Sequence, residues 1–358
     1  MRIKEAGELN LLQEIKRRHN PSSTELRCNP EAIVGIGDDA AVLSLRDRNT
    51  LITTDMMIEG VHFDLSFTNI ISLGYKLVSV NVSDIMAMAA SPRYLFLNMA
   101  INGETEVDDF WRLFSGIEHA IGIYDLQLLG GDLSSSPGPA MLSATLLGAS
   151  DSFVTRAGAC PGDRIYVTGT LGNSACGLEL LKRLSPDSKE MVRKIDFIYE
   201  FNFEGVQTLR LDDSENSLIN FSTALPLIKR HLAPDARASQ AYAAAATSMM
   251  DISDGLFIDL NRLCDESGVG AEIDLAKIPV SAELVITSGL LGLDMLNLAV
   301  SGGEDYELLF TAPPKISESE LQGAVCIGVV TDSGRFATDS DGRRTEIKPR
   351  GYQHFENP

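Results

Sequence analysis

Seven aspartates each follow an apolar run and stand beside glycine or another small residue. They are Asp38, Asp39, Asp55, Asp84, Asp132, Asp251 and Asp254. A carboxylate that follows a strand lies at a sheet edge, where ligands bind, and a neighbouring glycine lets a phosphate or metal ion approach the backbone. Magnesium usually binds through one or two carboxylates together with substrate phosphates. The dispersed set therefore predicts more than one Mg²⁺ ion, although any single member could instead be a helix N-cap or turn residue.

Asp84 is the member least well explained as a turn. It lies in an apolar segment, Ile71 to Ala90, whose periodicity predicts a helix, and Asn81 stands one turn earlier on the same face. A buried carboxylate needs a partner. We therefore expect Asp84 to contact a ligand or a polar group.

Two glycine-rich loops could also bind a ligand. Residues Gly302–Glu307 carry three acids between apolar segments, although an ordinary β-turn explains the glycine pair equally well. Residues Gly169–Asn173 follow a strand and could hold a phosphate at the N-terminus of a helix. The sequence contains no G-x-x-x-x-G-K-[ST] motif, no protein-kinase signature and no G-x-S-x-G motif.

Two basic residues stand near these motifs. His62 follows Asp55 by seven positions, but a histidine without a spaced partner is no evidence of zinc. Arg156 could pair with a nucleotide phosphate or form a surface salt bridge.

The net charge restricts the ligands further. The chain has 30 Lys and Arg against 50 Asp and Glu, a formal charge of −20. It contains no basic stretch that could neutralise a nucleic-acid backbone, so nucleic acid is not an expected partner. A phosphorylated ligand would be repelled unless metal ions stood between it and the protein.

The elements that must position these residues alternate between strand and helix. This order indicates an α/β or α+β layer structure. A chain of 358 residues suggests two domains, and the glycine- and proline-rich stretch around 148–161 places the boundary near residue 150. We therefore expect an N-terminal domain over 1–150 and a C-terminal domain over 151–358. Expected elements include a helix over 3–19, strands at 32–36, 50–54, 94–101, 126–129 and 141–147, and a helix over 107–122.

Three segments of the second half have distinctive compositions. Residues 184–222 are polar, acidic and poorly periodic, so we expect a surface insertion that contributes little to the core. The composition of the alanine-rich segment 241–250 predicts a helix. The apolar segment 284–300 is interrupted by Asp294 and two glycines, which favours buried structure over a membrane span.

Targeting signals and cysteines indicate the compartment in which the protein resides. The charged N-terminus lacks the apolar core of a signal peptide. Five widely spaced cysteines without a C-x-x-C motif fit a reducing compartment. We expect a cytoplasmic protein that does not insert into a membrane.

The motifs taken in order resemble those of the thiamine-monophosphate kinase family, which belongs to the ATP-binding superfamily of aminoimidazole ribonucleotide synthetase. The strings that carry the resemblance are GIGDDAAVL, TTDMMIEGVHF, VNVSDIMAM, GGD, RAGACPGD, VTGTLG, DISDGL and SGGEDYELLF. The match as a whole extends from about Gly35 to Tyr352. The resemblance implies a two-domain α/β (α+β) chain that forms a homodimer through N-terminal strands. It also implies that ATP and the acceptor bind between the domains and that the γ-phosphoryl group passes to thiamine monophosphate.

The resemblance implies roles for individual positions. The family's magnesium-binding positions correspond to Asp39, Thr53, Thr54, Asp55, Asp84, Asp132, Asp251 and Asp254, the threonines through oxygen atoms. Its nucleotide contacts correspond to Gly131, Asp132, Arg156 and Ser253. Its thiamine phosphate contacts correspond to His62, Glu304 and Tyr352.

The implied reaction agrees with the charge pattern. An acceptor phosphate is already deprotonated near neutral pH, so catalysis reduces to aligning two polyanions and neutralising them. No residue stands out as an activated nucleophile, which favours direct in-line transfer. Two alternatives stay open, namely another ATP-dependent synthetase of the superfamily and a non-catalytic, metal-dependent nucleotide-binding protein.

Overall fold

The computed structural model describes residues 32–34, 41–45, 48–199, 206–212, 217–317, 320–321 and 323–355. The helix expected over 3–19, Cys28, Asp38 and Asp39 lie outside the described residues. The alternation of strands and helices across the described residues confirms the α/β class.

A six-stranded sheet forms the N-terminal half. Its strands are β1 (Ala32–Val34), β2 (Ala41–Leu45), β3 (Arg48–Ile58), β4 (Ser91–Ile101), β5 (Gln127–Ser135) and β6 (Met141–Ser150). The order is β1-β2-β3-β6-β4-β5, in which only the β4–β5 pair is parallel. Side chains alternate between the faces, so Leu51, Thr53 and Met57 are buried while Thr54 and Met56 are exposed. Asp55 therefore points to the same face as Thr53.

Two helices cover the buried face of this sheet. They are α1 (Ile70–Ala87) and α2 (Val107–Ile123). The Asn69 side chain caps α1 by accepting from the amides of Ile71 and Ser72. The helices approach closely because Gly74 and Gly116 lie in the crossing, where a Cβ on either would overlap a carbonyl of the other helix. The pairing buries α1 between the sheet and α2.

By length and apolar composition, α1 would be long enough to cross a membrane, but 78% of it is buried inside the protein. Core helices commonly have this composition. The bent pair α8 (Ala282–Leu291) and α9 (Met295–Ser301) passes the same test with a 119° bend. Residues 284–300 are thus two short helices, and Val285, Ile286 and Leu290 are exposed, so this segment is less buried than its composition suggests.

A second sheet of seven strands forms the C-terminal half. Its strands are β7 (Arg164–Thr168), β10 (Ser248–Ile252), β11 (Gly270–Asp274), β12 (Glu307–Ala312), β13 (Ala324–Thr331), β14 (Arg335–Thr338) and β15 (Arg344–Glu346). The order is β10-β12-β7-β13-β11-β14-β15, in which the β11–β14 pair is parallel. The helices α3 (Asn173–Arg183), α5 (Phe221–Leu232) and α7 (Leu256–Ser267) accompany this half. The division near residue 150 stays a prediction, which the placement of one sheet before it and one after it supports.

The expectation that residues 184–222 contribute little to the core is wrong. This segment contains α4 (Pro186–Lys194) and the short antiparallel pair β8 (Thr208–Arg210) and β9 (Leu218–Asn220). Its sparse apolar residues are buried in the cluster that contains the core of the first sheet. They include Leu184, Val192, Phe197, Leu209, Leu211 and Ile219. A few well-placed apolar side chains are enough to dock a polar segment.

The alanine-rich helix is also shorter than expected. Only α6 (Gln240–Ala243) is helical, and Ser248–Ile252 forms β10 instead. β10 pairs with β12 through five registered residues, from Ser248↔Thr311 to Ile252↔Glu307. Pairing within a buried sheet overrides the helix propensity of the alanines.

Candidate functional site

Helix α1 connects the middle of β3 to the end of β10 through its polar residues. The Thr53 hydroxyl donates to Asp84 Oδ2 at 2.6 Å, and the Ser83 hydroxyl donates to Asp251 Oδ2 at 2.5 Å. Asn81 Oδ1 accepts from the backbone amide of Asp55 at 3.1 Å. The prediction that Asp84 has a polar partner is therefore confirmed.

The turn after β10 holds Ser253 and Asp254. Arg262 Nη1 contacts Asp254 Oδ2 at 2.5 Å and Asp259 Oδ1 at 2.8 Å. The buried Asp259 accepts from the amides of Asp254 and Gly255, which fixes the turn. Burial, followed by the charge of Asp254, raises the pKa of Asp259 to about 7. Arg156 contributes to the electrostatic field at Asp259, which places it near this turn.

The loop at 302–306 lies directly against that turn. The amide of Glu304 donates to the Ser253 carbonyl at 2.7 Å, and the amide of Tyr306 donates to the Ile252 carbonyl at 2.9 Å. Glu304 has φ of +64° and Tyr306 of +51°, in the left-handed region. Burial raises the pKa of Tyr306, as do the charges of Glu304, Asp55, Asp251 and Asp254. We call Asp55, Asp84, Asp251 and Asp254 the aspartate cluster.

Glu304 is held by two basic residues from different helices. Lys76 Nζ, on α1, lies 2.8 Å from Oε1, and His231 Nδ1, on α5, lies 3.1 Å from Oε2. Burial opposes ionisation of Glu304, but the charges and hydrogen bonds of Lys76 and His231 hold its pKa below the ordinary value. Burial, followed by the charge of Lys76, lowers the pKa of His231, whereas the charge and hydrogen bond of Glu304 raise it.

Three aromatic rings lie near Glu304. The ring centroid of His354 lies 5.1 Å from that of His62 and 5.0 Å from that of Tyr352. His62 Nδ1 accepts from the amide of Ile58 at 3.0 Å, and the amide of Tyr352 donates to the Asp254 carbonyl at 2.9 Å. Burial and then the charge of His354 lower the pKa of His62, while Glu304 opposes them. We call His62, Tyr352, His354 and Glu304 the ring cluster.

Three predicted positions lie apart from these clusters. The Thr54 hydroxyl points to the opposite sheet face and lies 3.0 Å from the Thr145 hydroxyl. Gly131 and Asp132 are exposed on the edge strand β5, about 14 Å or three strand spacings from β3. Only glycine fits at 131, since φ is +154° and a Cβ would overlap the Leu97 carbonyl.

The loop at 169–173, which could hold a phosphate, bonds through two of its amides to a side chain of the same chain. The buried carboxylate of Asp305 already occupies the N-terminus of α3, accepting from the amides of Gly172 at 2.5 Å and Ser174 at 3.1 Å. Burial raises the pKa of Asp305 to about 7, and these two amide donors oppose the shift. The loop thus binds a side chain of its own fold.

Within the ranges that the structure describes, no three His, Cys, Asp or Glu side chains converge closely enough to form a preassembled metal site. The donors in the aspartate cluster are nevertheless all oxygen atoms, which suits magnesium. Because Mg²⁺ commonly binds one or two carboxylates and completes its coordination with water and substrate phosphate, this arrangement fits ions that arrive with a nucleotide.

Two family models cover most of the chain. The model described as AIR synthase related protein, N-terminal domain, matches residues 37–150, and the corresponding C-terminal domain model matches 160–340. The thiamine-monophosphate kinase of Aquifex aeolicus (strain VF5) is 36% identical over 360 residues, covering 99% of this chain and 100% of the relative. That of Escherichia coli (strain K12) is 36% identical over 366 residues, covering 98% and 99%.

The chain belongs to the thiamine-monophosphate kinase family. The resemblance drawn from its motifs is confirmed, as is the two-domain α/β fold. A solved structure described as AaThiL complexed with AMPPCP and TMP matches with a TM-score of 0.78 at 33% identity and covers 99% of both chains.

Several residues of this family member escaped sequence analysis. Lys76, His231 and His354 contact predicted site residues, and Tyr306 lies in the field of four acids. Tyr306 stands in the SGGEDYELLF string, whereas Lys76, His231 and His354 stand in none of the strings that carry the resemblance. Lys76 alone left a usable signal, because a lysine in the apolar stretch of α1 needs a buried partner.

Proposed function

We propose that this chain transfers the γ-phosphoryl group of ATP to thiamine monophosphate, giving thiamine diphosphate and ADP. The observation that carries the proposal is the direct contact between three segments distant in sequence. The amide of Glu304 bonds to Ser253, and the amide of Tyr352 bonds to Asp254. The DISDGL string, the loop at 302–306 (the GGED loop) and the C-terminal GYQHF segment thus lie side by side. Full-length similarity to thiamine-monophosphate kinases supports the same substrate pair.

The chemistry places few demands on protein side chains. The acceptor phosphate is itself the nucleophile, so the chain needs to align two phosphates and to shield their charges. Ser253 contacts the loop of Glu304, and Asp254 contacts the segment of Tyr352. This one segment can therefore serve both the nucleotide end and the acceptor end of the site. Direct transfer between the two bound substrates requires no phosphorylated enzyme.

Magnesium is the metal that the donor chemistry favours. The residues proposed to hold it are those of the aspartate cluster together with Asp39, Thr53 and Asp132, whereas the Thr54 hydroxyl lies on the opposite sheet face. Bound Mg²⁺ would neutralise the phosphate charges that an acidic protein repels. Thr53 and Ser83 orient the carboxylates of Asp84 and Asp251 by donating hydrogen bonds to them.

A homodimer formed through the first sheet is the proposed assembly. Met56 and Met141 are exposed on the face away from α1, and Leu129 and Leu133 are exposed on the edge strand β5. An exposed apolar face beside an open strand edge is typical of an interface between chains. Dimerisation would also bring a second chain close to Asp132, which is exposed on β5 of one chain. We further propose a cytoplasmic location, in keeping with the ATP-dependent reaction.

The test is an assay of purified protein with ATP, Mg²⁺ and thiamine monophosphate, in which chromatography follows thiamine diphosphate and ADP. We expect product to require the monophosphate, to be absent when thiamine replaces it, and to disappear in Asp55→Asn. ATP binding without transfer to thiamine monophosphate would overturn the proposal and favour a sister synthetase or a binding-only protein.

A further inference from the structure

Lys76 is an unusual residue for its position. Its side chain is only 4% exposed, and it lies in α1 between the buried residues Leu73, Leu77 and Val80. Burying an ammonium group is costly unless it is paired and hydrogen-bonded. The partner is Glu304, which belongs to the other half of the chain. An apolar residue would fill this place in the helix at a lower desolvation cost, so packing alone does not account for the lysine.

The conformation of Glu304 needs external support. Its φ of +64° is unfavourable for a residue with a Cβ and persists only where the surroundings impose it. The backbone is fixed by the hydrogen bond to the Ser253 carbonyl. Lys76 and His231 fix the carboxylate, each by a different oxygen. Because a carboxylate offers about four lone-pair sites, both oxygens can still accept a further hydrogen bond.

Lys76 also acts on the ring cluster beyond Glu304. Its positive charge is one of the factors that lower the pKa of His62. Along α1, Lys76 and Asp84 are eight residues apart, which corresponds to about 12 Å of helix. The same helix therefore carries a cation to the ring cluster at one end and a carboxylate to the aspartate cluster at the other.

We propose that Lys76 is a positioning residue for the acceptor, which it serves by holding the Glu304 carboxylate in place between α1 and the GGED loop. This inference rests on the proposed function, because the acceptor is thiamine monophosphate. Lys76 itself does not contact the reacting phosphates. Its loss changes binding of the acceptor, whereas the ATP side of the site keeps its ligands.

Lys76→Met and Lys76→Arg test this role, with Lys182→Met as the matched control. Lys182 is 55% exposed and forms a surface pair with Glu179. Steady-state kinetics of each variant give KM for thiamine monophosphate and for ATP separately, and thermal unfolding shows whether each protein is folded. For Lys76→Met we expect KM for thiamine monophosphate to rise roughly 10- to 100-fold, the range of a lost hydrogen bond to a charged group. KM for ATP should stay within about twofold of the wild-type value. This change is much smaller than the loss of one hydrogen bond to a charged group would cause.

Lys76→Arg should recover part of the lost acceptor affinity, because it restores the charge with a different shape. Lys182→Met should match the wild type. Equal increases of both KM values, or unchanged KM values in a folded Lys76→Met protein, would overturn the proposal. If Lys76→Met does not fold, the double variant Lys76→Met/Glu304→Gln removes the unpaired charge. Its KM for thiamine monophosphate should equal that of Glu304→Gln alone, because Lys76 acts through Glu304, and a further increase would overturn the proposal.

The wild-type assay separates this inference from the proposed function. Absence of thiamine diphosphate with the wild-type protein would overturn the function, and the Lys76 proposal with it. Normal wild-type turnover with an unchanged KM in folded Lys76→Met would overturn the Lys76 proposal alone.

Discussion

Two carboxylates of the aspartate cluster and two carboxylates of the segment 304–307 have different kinds of partner, although Asp254 of the aspartate cluster also pairs with Arg262. Asp84 and Asp251 accept hydrogen bonds from the neutral hydroxyls of Thr53 and Ser83. Glu304 is bound by Lys76, and the nearby Glu307 by Arg230 and Arg237. A hydroxyl orients a carboxylate and leaves its charge in place, whereas a cation compensates it. The hydroxyl bonds orient Asp84 and Asp251, and the ion pairs fix the segment that carries Glu304 and Glu307.

The comparison predicts its largest effect on activity at Asp84. Asp84→Asn keeps the size of the side chain but removes the charge that Thr53 orients, so we expect kcat/KM to fall by about 100- to 1000-fold. Kinetics over a range of Mg²⁺ concentrations measure this loss. Asp187→Asn, at an exposed acid in the first turn of α4, is the control and should behave as the wild type. If kcat/KM of Asp84→Asn stays within about threefold of the wild-type value, the comparison fails, because the loss of one hydrogen bond typically has a larger effect.

Glu307 gives the largest predicted effect on stability. It is fully buried, accepts from the Thr168 hydroxyl at 2.6 Å, and pairs with Arg230 at 2.9 Å and with Arg237. Glu307→Gln leaves two guanidinium groups without their shared anion, which should lower the free energy of unfolding by about 3 kcal/mol. Denaturant titration measures the change. Glu272→Gln, in an exposed pair with Arg344 on the same sheet, should cost under about 0.5 kcal/mol.

If Glu307→Gln unfolds like the wild type but loses kcat/KM, then cation-bound carboxylates also take part in the reaction. In that case the contrast between the two groups would have to be abandoned.

Elements with strong periodicity were predictable almost to the residue. The helix expected over 71–90 is α1 at Ile70–Ala87, and that expected over 107–122 is α2 at Val107–Ile123. Residues 184–222 and 241–250 were not, because a docked polar segment and a strand in a buried sheet depend on partners distant in sequence.

The acids of the site were predictable and their partners were not. Asp84, Asp251 and Glu304 stand in recognisable strings, whereas Lys76 and His231 lie in helices whose sequences show only apolar periodicity. Which cation reaches Glu304 is decided by how α1 and α5 pack around the GGED loop. That packing is a property of the folded chain.

Two adjacent threonines sharpen the comparison by testing the role of sheet face. The Thr53 hydroxyl bonds to Asp84, whereas the Thr54 hydroxyl bonds across the opposite face to the Ala144 carbonyl at 3.0 Å. We expect Thr53→Val to lower kcat/KM by about tenfold, through loss of a hydrogen bond to a charged group. Thr54→Val should change it by less than about twofold, because its hydroxyl is not at the cluster. Equal losses would show that the hydroxyl bond to Asp84 does not matter for turnover.

The smallest predicted effect is a pH dependence that belongs to the ring cluster alone. Burial and the charge of Lys76 hold the pKa of His231 below its ordinary value in the folded protein. As pH falls through about 6.5, the unfolded chain therefore takes up a proton that folded His231 does not, and stability is lost, by at most about 1.4 kcal/mol per pH unit. His231→Gln keeps a donor toward Glu304 but cannot titrate, so its free energy of unfolding should decline less between pH 7.5 and 5.5 than that of the wild type. Denaturant titrations at both pH values give the two slopes. If His231→Gln keeps the wild-type slope, the pKa of His231 does not differ between the folded and the unfolded chain. If its free energy of unfolding declines more than that of the wild type, His231 is protonated in the folded state and Glu304 is held by two cations.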